Sequence, residues 1–203
     1  ALFDGEPLNF SFDGIPCGSF SQGHRFLKPD KFSVKNLSSY LEESENHFLL
    51  VNPEIRKQKI LEQVQNLARE AGGLVEEDSE LLSIVNYLVE FPVAIRGDFD
   101  SHFLELPKEL LVMTMKYHQK YFPVTDGKGN LLPCFITISN MPAGEGQEIK
   151  KGNERVLRAR LEDARFFYNE DKKKNLDDFV EPLKGVVFQK KLGTLYEKME
   201  RIC

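Results

Sequence analysis

The sequence predicts an α+β fold in which mixed strands pack with helices and the C-terminal part is helical. Short apolar runs broken by Gly, Pro and Asp over residues 5–35 are typical of strands and tight turns. The run DGKGN at 126–130 lies between two β-rich stretches, which is a hairpin signal. Residues 148–171 have helical periodicity without proline. Strands, then helices, then a hairpin and helices do not alternate as βαβ units do.

The first half of the chain is predicted to hold three helices separated by strands. Residues 36–45 form a short helix capped by Asn36 or Ser38, and 47–52 form a buried strand. Pro53 opens the second helix, because proline suits the first helical turn, and Gly72-Gly73 end it. The third helix covers 78–91, capped by Asp78 or Ser79, and Pro92 starts the next strand.

The second half is predicted to continue with a helix over 107–122 and the hairpin over 122–140. Residues 141–147 form a loop, and helices follow over 148–171, 171–186 (broken near Pro182) and 188–202. The change from mixed to helical character predicts two parts. These are an α+β module with its hairpin over 1–145 and a helical segment over 146–203.

Composition excludes several classes of protein. A net charge of −5 argues against a surface coated all over by nucleic acid, although one basic patch stays open. No apolar run approaches the roughly 20 residues that span a bilayer, and the start lacks a signal-peptide pattern. Cys17, Cys134 and Cys203 are scattered, so we expect reduced thiols, no disulfide framework and no metal site. Because the start lacks an initiator methionine and the end stops inside a helical pattern, we expect a portion of a longer protein.

Motifs that would indicate catalysis are missing from the sequence. It contains no phosphate-binding glycine loop and no nucleophile elbow. The four histidines have no partner at helical metal-ligand spacing, so a locally hydrogen-bonded histidine is the favoured interpretation of each. A contact to RNA phosphate or ribose is the alternative for Lys116, His118 and Lys120.

The stretch GNERVLRARLEDARFFYNED, residues 152–171, gathers cations on one side of its helix. At about 100° per residue, four cations fall within an arc of roughly 80°; we call them the basic stripe, and they are Lys151, Arg155, Arg158 and Arg165. Glu154–Arg158 and Arg158–Glu162 have the spacing of surface ion pairs. The stripe therefore has two interpretations, a salt-bridged docking face or a face that contacts RNA.

The opposite face of this helix is predicted to be buried and apolar, with Arg160 in its middle. The apolar residues at this spacing are Val156, Leu157, Leu161, Ala164, Phe167 and Tyr168. Because an unpaired buried guanidinium is costly, we expect Arg160 to have a fixed partner or to mark a contact with another domain. On this view Arg160→Met changes folding or assembly more than Arg158→Met.

Three long strings together resemble a known family. The stretch at 152–171, HQKYFPVTDGKGNLLPCFITISN before it and LGTLYEKMERI after it are similar to the β subunit of bacterial-type glycyl-tRNA synthetase, and GHRF at 23–26 also matches. The resemblance covers essentially the whole chain, is densest from Lys116 to Ile202 and is looser over 36–90.

The resemblance implies a role in an α2β2 class II enzyme that is cytoplasmic and not membrane-bound. In that family the α subunit uses ATP, with Mg²⁺, and glycine, while the β subunit contributes most of the recognition of tRNA-Gly. The resemblance further implies an inner N-terminal portion of β that is similar to the B3/B4 module of the phenylalanyl synthetase β chain and precedes an HD-type domain. No cofactor and no catalytic residue are expected here.

Three functions stay open at this point. The favoured one is a non-catalytic module for tRNA binding and for subunit and domain assembly. The second is an editing-type deacylase, although glycine's small size makes editing less necessary because a tight pocket already excludes larger amino acids. The third is a purely structural scaffold.

Overall fold

The computed structural model describes residues 2–3, 6–141 and 146–202, and its architecture is α+β, as predicted. The chain divides into two compact units, residues 1–158 and 159–203. The division falls inside one long helix. The boundary predicted from the sequence between residues 145 and 146 stays a prediction.

The first unit begins with three short antiparallel hairpins, as the Gly- and Pro-punctuated sequence predicts. Each pairs two strands of two or three residues. They are β1 (Leu2–Phe3) with β2 (Glu6–Pro7), β3 (Ser11–Phe12) with β4 (Ile15–Pro16), and β5 (Phe20–Gln22) with β6 (Lys31–Ser33).

Helix α1 (Leu37–Asn46) is capped by Asn36, as predicted, but the strand predicted over 47–52 is wrong. Phe48 adopts a left-handed backbone with φ of 60°, which interrupts any strand. The amide of Leu50 then donates to Glu90 O at 2.9 Å rather than to a ladder partner. The segment is therefore an irregular connection held by long-range hydrogen bonds.

Helix α2 (Pro53–Glu70) and helix α3 (Ser79–Asn86) supply the helical side of the core. Asn52 and Asp78 accept hydrogen bonds from the first free amides of these helices, and Gly72, with φ of 74°, follows the end of α2. The helix predicted to run to 91 is wrong beyond Asn86, because the Glu90 amide donates to Asn140 Oδ1 instead of to a helical carbonyl.

A three-stranded antiparallel sheet faces these helices. Its order is β7 (Val93–Asp98), β9 (Leu131–Ser139) and β8 (Phe122–Thr125), with β9 central and the predicted hairpin joining β8 to β9. The core residues shared by α2, α3 and the sheet are Ile60, Val64, Ala68, Leu81, Leu82, Val85, Val89, Phe122, Val124, Cys134 and Ile136.

Between β7 and β8 the chain turns through a 3-10 helix (Ser101–Glu105) and helix α4 (Lys108–Met113). Helix α4 continues as one π-helical turn over Thr114–His118. The helix predicted over 107–122 therefore ends earlier, and Phe122 already belongs to the sheet.

Helix α5 (Gly146–Asp171) matches the predicted long charged helix. The loop predicted before it lies largely outside the described residues. Beyond α5 the expected helices are mostly wrong. Two 3-10 turns and a hairpin come first and helix α6 is short: Leu176–Phe179, Glu181–Gly185, β10 (Val187–Gln189), β11 (Gly193–Thr194) and α6 (Leu195–Glu200). Pro182 and Gly193 (φ 80°) break the longer helices, and Thr194 caps α6.

Candidate functional site

The first half of helix α5 is fixed to the end of strand β7 through a cluster of charges. Asp98 Oδ2 lies 2.6 Å from Lys150 Nζ, and Asp98 Oδ1 lies 2.9 Å from Arg96 Nη2. The Asp98 amide donates to Glu154 Oε1 at 2.9 Å. Burial alone raises the pKa of Asp98, but hydrogen bonds from Lys150 and Arg96 outweigh it and hold that pKa below its ordinary value.

A second anchor joins α5 to the sheet through a neutral hydrogen bond. The Tyr121 hydroxyl donates to Asn153 Oδ1 at 2.6 Å, and the Tyr121 ring stacks on Phe135 with ring centres 4.5 Å apart. Burial raises the pKa of Tyr121 to about 12, so the hydroxyl keeps its proton at neutral pH. The charged cluster around Asp98 and the Tyr121–Asn153 hydrogen bond therefore fix the helix to the sheet at two points.

The basic stripe faces solvent where it belongs to the first unit. Lys151, Arg155 and Arg158 are all exposed. Lys151 Nζ lies 3.0 Å from Glu148 Oε1, and both side chains are well exposed, so water screens this pair. Within the part of the chain that the structure describes, Arg155 and Arg158 have no carboxylate partner.

The ion pairs predicted for Arg158 are wrong, because both carboxylates have closer partners. Glu154 turns toward the sheet, where it accepts the Asp98 amide and lies 3.5 Å from Lys150 Nζ. Glu162 pairs with Arg165 in the second unit. Arg158 therefore keeps its charge available to a partner outside this chain.

The expected burial of Arg160 is also wrong. Arg160 is exposed, and no described residue pairs with its guanidinium. Of the predicted apolar face, Leu157 and Leu161 are fully buried and Ala164 and Tyr168 are half-buried, whereas Val156 and Phe167 are 44% and 63% exposed. The buried part of this helix is therefore narrower than predicted, and Arg160 lies outside it, in solvent. An interface role for Arg160 stays a prediction.

The second group of candidate RNA contacts lies in the π-helical turn and just after it, and two of its three residues make contacts within this chain. Lys116 Nζ lies 2.6 Å from Asp78 Oδ2, at a side chain that is mostly buried. Lys120 has a left-handed backbone and donates to Tyr117 O at 2.8 Å. His118 is exposed. These residues do not form one cationic surface, since Lys116 is neutralised where it lies.

Asp78 links the helix cap to that lysine. Its Oδ1 accepts the amide of Leu81 at 2.9 Å while its Oδ2 holds Lys116. Burial raises the pKa of Asp78, but the Leu81 amide and the Lys116 ammonium outweigh burial and bring the pKa below its ordinary value. Asp78 therefore stays ionised at neutral pH.

Two clefts open on either side of the segment that leads into α3. They measure about 310 and 160 Å³, and both are lined by Val75, Asp78 and Phe122. Both linings are mainly apolar and both include Glu76 and Glu77. Neither cleft is lined by a histidine or a cysteine among the described residues.

The sequence did not predict the buried arginine of helix α2. Arg56 Nε donates to Asn86 O at 2.8 Å, and its Nη1 donates to Leu50 O. The Asn86 side chain donates to Pro53 O at 3.0 Å. A signal was present, since Arg56 precedes Ile60 and Val64 by four and eight residues and therefore lies on the buried face of the helix.

His24, in the GHRF string, is a structural residue. Its Nδ1 accepts hydrogen bonds from the amides of Phe26 and Leu27, each at 3.3 Å, and the ring is buried. Its own amide donates to His47 O at 2.9 Å. The local hydrogen bonding that was favoured for histidines is what His24 shows.

The described residues hold neither a metal-binding cluster nor a membrane-spanning helix. No three His, Cys, Asp or Glu side chains there lie close enough together to hold a metal ion. None of the described helices combines the length and the apolar character that crossing a membrane requires.

Known proteins are similar to this sequence over nearly its whole length. The sequence pattern of the glycyl-tRNA synthetase beta subunit family matches residues 1–203. A glycine–tRNA ligase beta subunit from Citrifermentans bemidjiense is 52% identical over 201 residues, and those from Syntrophus aciditrophicus and Geobacter sulfurreducens are 50% and 48% identical. In each case 99% of this chain aligns, and the chain spans about 29% of the length of the relative.

Proposed function

The chain belongs to the glycyl-tRNA synthetase beta subunit family, and from that membership we propose that it supports the attachment of glycine to tRNA-Gly without being catalytic itself. It contributes a contact to tRNA-Gly and helps to assemble the β chain with an α subunit. In this proposal ATP, with Mg²⁺, is used by the α subunit, the subunits form an α2β2 complex, and the complex works in the cytoplasm.

One observation carries the RNA contact: Arg155 and Arg158 are exposed and unpaired, within the described residues, on a helix that is held in place. They lie about one turn apart on the outer face of α5. Arginine offers a planar fork of donors that matches phosphate oxygens, and the positively charged pair sits on a chain that is acidic as a whole. Such a feature is expected of a local phosphate contact.

The anchors beneath this face support the same function. Asp98 with Lys150, and Tyr121 with Asn153, fix the first half of α5 to the sheet. A helix that is already immobile loses little conformational freedom when phosphate binds, so the contact costs less entropy. The other candidates, Lys116, His118 and Lys120, are secondary, because Lys116 would first have to leave Asp78.

The test is the double substitution Arg155→Gln and Arg158→Gln in the complete α2β2 enzyme. We expect KM for tRNA-Gly to rise roughly tenfold, which corresponds to two surface ionic contacts of about 0.7 kcal/mol each. The slope of log affinity against log salt should become less steep by about 2, one unit per phosphate contact. Glycine-dependent ATP–pyrophosphate exchange should not change, because that reaction does not need tRNA binding.

The matched control is Arg69→Gln, which removes the same charge from an exposed position of α2. It should leave the KM for tRNA unchanged. Unchanged KM and salt slope in the double variant would reject the RNA contact. A loss of α2β2 assembly with normal tRNA affinity in the remaining complex would instead favour the structural scaffold.

A further inference from the structure

The second unit lacks a core of its own. Among residues 159–202, the described part of this unit, Leu161 alone is buried. Beyond α5, large apolar side chains point outward instead. Leu176, Val187 and Ile202 are 86%, 67% and 73% exposed, and Val186, Phe188 and Leu192 are exposed as well.

The local structure of this unit depends on short-range hydrogen bonds. Strands β10 and β11 pair over only three and two residues. Thr194 caps α6 through the amide of Glu197, and Arg201 donates to Leu192 O at 3.0 Å. An isolated two-stranded hairpin is marginal in water, and one buried apolar side chain among the described residues of this unit does not supply the missing stability. Something else must cover these apolar side chains.

The charges of the second unit argue against nucleic acid as the partner that covers its apolar side chains. Residues 159–203 carry ten Lys or Arg and nine Asp or Glu side chains, so the unit is nearly neutral. Several of these charges pair within one helical turn, as Lys173 does with Glu170 and Lys184 with Glu181. Lys184 and Lys198 also lie over the rings of Tyr196 and Phe188, at 4.6 and 4.0 Å, which covers one face of each ring. A nearly neutral apolar surface fits protein and not RNA.

We propose that the apolar surface of residues 176–202 is an intramolecular interface, covered by a part of the longer β chain that lies outside these 203 residues. The relatives are more than three times as long as the aligned region, so most of such a chain lies outside this structure. A covalently attached segment meets the surface at an effective concentration in the millimolar range, whereas a separate partner must find it by diffusion. An apolar surface that must always be shielded from water is best explained by a covalently attached segment, because that segment is always present.

The experiment compares hydrogen–deuterium exchange in the 203-residue chain and in the full-length β subunit without α. Amides of residues 186–195 should exchange at least tenfold more slowly in the full-length chain. Amides of β9, which are already protected by the core, should exchange equally in both. No slowing over 186–195 would overturn the proposal.

Two further arms separate the other occupants. Slowing that occurs only after the α subunit is added would assign the surface to α, and slowing that depends on β concentration would assign it to a second copy; either result overturns the proposal. In the full-length chain, Val187→Lys should restore at least part of the fast exchange, whereas Gln65→Lys, at an exposed position of α2 in the first unit, should not. Unchanged exchange of β9 in both variants shows that the fold is intact.

Discussion

The two units of this chain place their apolar residues in opposite ways. In the first, α2 and α3 pack on the β7–β9–β8 sheet, and residues such as Ile60, Val124 and Ile136 are fully buried. In the second, the turns and the hairpin beyond α5 leave Leu176 and Val187 in solvent. The first unit therefore has a core that stabilises its own fold, whereas the second unit depends on apolar contacts supplied from elsewhere. The contrast teaches that ordered secondary structure does not imply independent stability.

The largest expected effect is on the core of the first unit. Ile60→Ala removes a fully buried side chain between α2 and α3 and should lower the free energy of unfolding by about 3–4 kcal/mol, from lost burial and the cavity it leaves. Chemical denaturation of the 203-residue chain measures it. The matched variant is Leu176→Ala, at an 86% exposed position, which should stay within about 0.5 kcal/mol. Similar losses in the two variants would remove the contrast between the units.

The polar interior of the first unit gives the next effect. Arg56→Met keeps most of the side-chain volume but leaves the carbonyls of Leu50 and Asn86 without their donor, so we expect a loss of about 2–4 kcal/mol. Arg69→Met is the control, because Arg69 is an exposed arginine near the end of the same helix. It should change stability by less than about 0.5 kcal/mol. A tolerated Arg56→Met would mean that α2 is held by apolar packing alone.

This buried arginine also shows where sequence reasoning ends. Asn36 and Asp78 were predicted as possible helix caps and are caps, because a cap depends on residues within one turn. The strand predicted over 47–52 is wrong because Leu50 is held by Glu90 and Arg56, contacts that no local pattern encodes. The true end of α3 depends on Asn140, fifty residues away.

The candidate site divides in the same way. The 100° rotation correctly put Arg155 and Arg158 on an exposed face, since helix geometry alone fixes that. The same rotation wrongly placed Arg160 in a buried position, because the rotation alone does not show how much of the helix surface the neighbouring elements cover. The neutralisation of Lys116 by Asp78 was not predictable from spacing, since 38 residues separate them. The largest errors of prediction fall in the second unit, where 3-10 turns and a hairpin stand in place of the predicted helices.

A smaller effect is expected at the cap of α3, and it depends on pH. Asp78→Ala removes the cap and the partner of Lys116, at a cost of about 1–2 kcal/mol, while Asp78→Asn keeps a cap and removes only the charge. Because the folded pKa of Asp78 lies below its ordinary value, its ionised form stabilises the fold above about pH 4, and this contribution is lost as pH falls through the folded pKa.

Melting temperatures measured between pH 3 and 7 check this sign. The difference in melting temperature between the unmodified chain and Asp78→Asn should be largest near pH 7 and should shrink below about pH 4. A gap that widens on acidification would show that the Asp78–Lys116 pair does not stabilise the folded state.

The smallest effects are expected on the exposed face of α5. Because Arg158 and Arg160 are both exposed and, within the described residues, unpaired, Arg158→Met and Arg160→Met should each change stability by less than about 0.5 kcal/mol. Thermal unfolding of the 203-residue chain compares them. A clearly larger loss for Arg160→Met would restore the buried position expected from the sequence.

The most direct test of the contrast between the units is limited trypsin digestion of the 203-residue chain, with cleavage sites located by mass spectrometry. The first cuts should fall at exposed lysines of the second unit, Lys172–Lys174 and Lys190–Lys191, at least tenfold faster than at Lys57 or Lys59 in α2, because cleavage follows local opening. A persistent product that contains α2 and the sheet should accumulate. Cleavage of both regions at the same rate would contradict the conclusion that only the first unit is stable on its own.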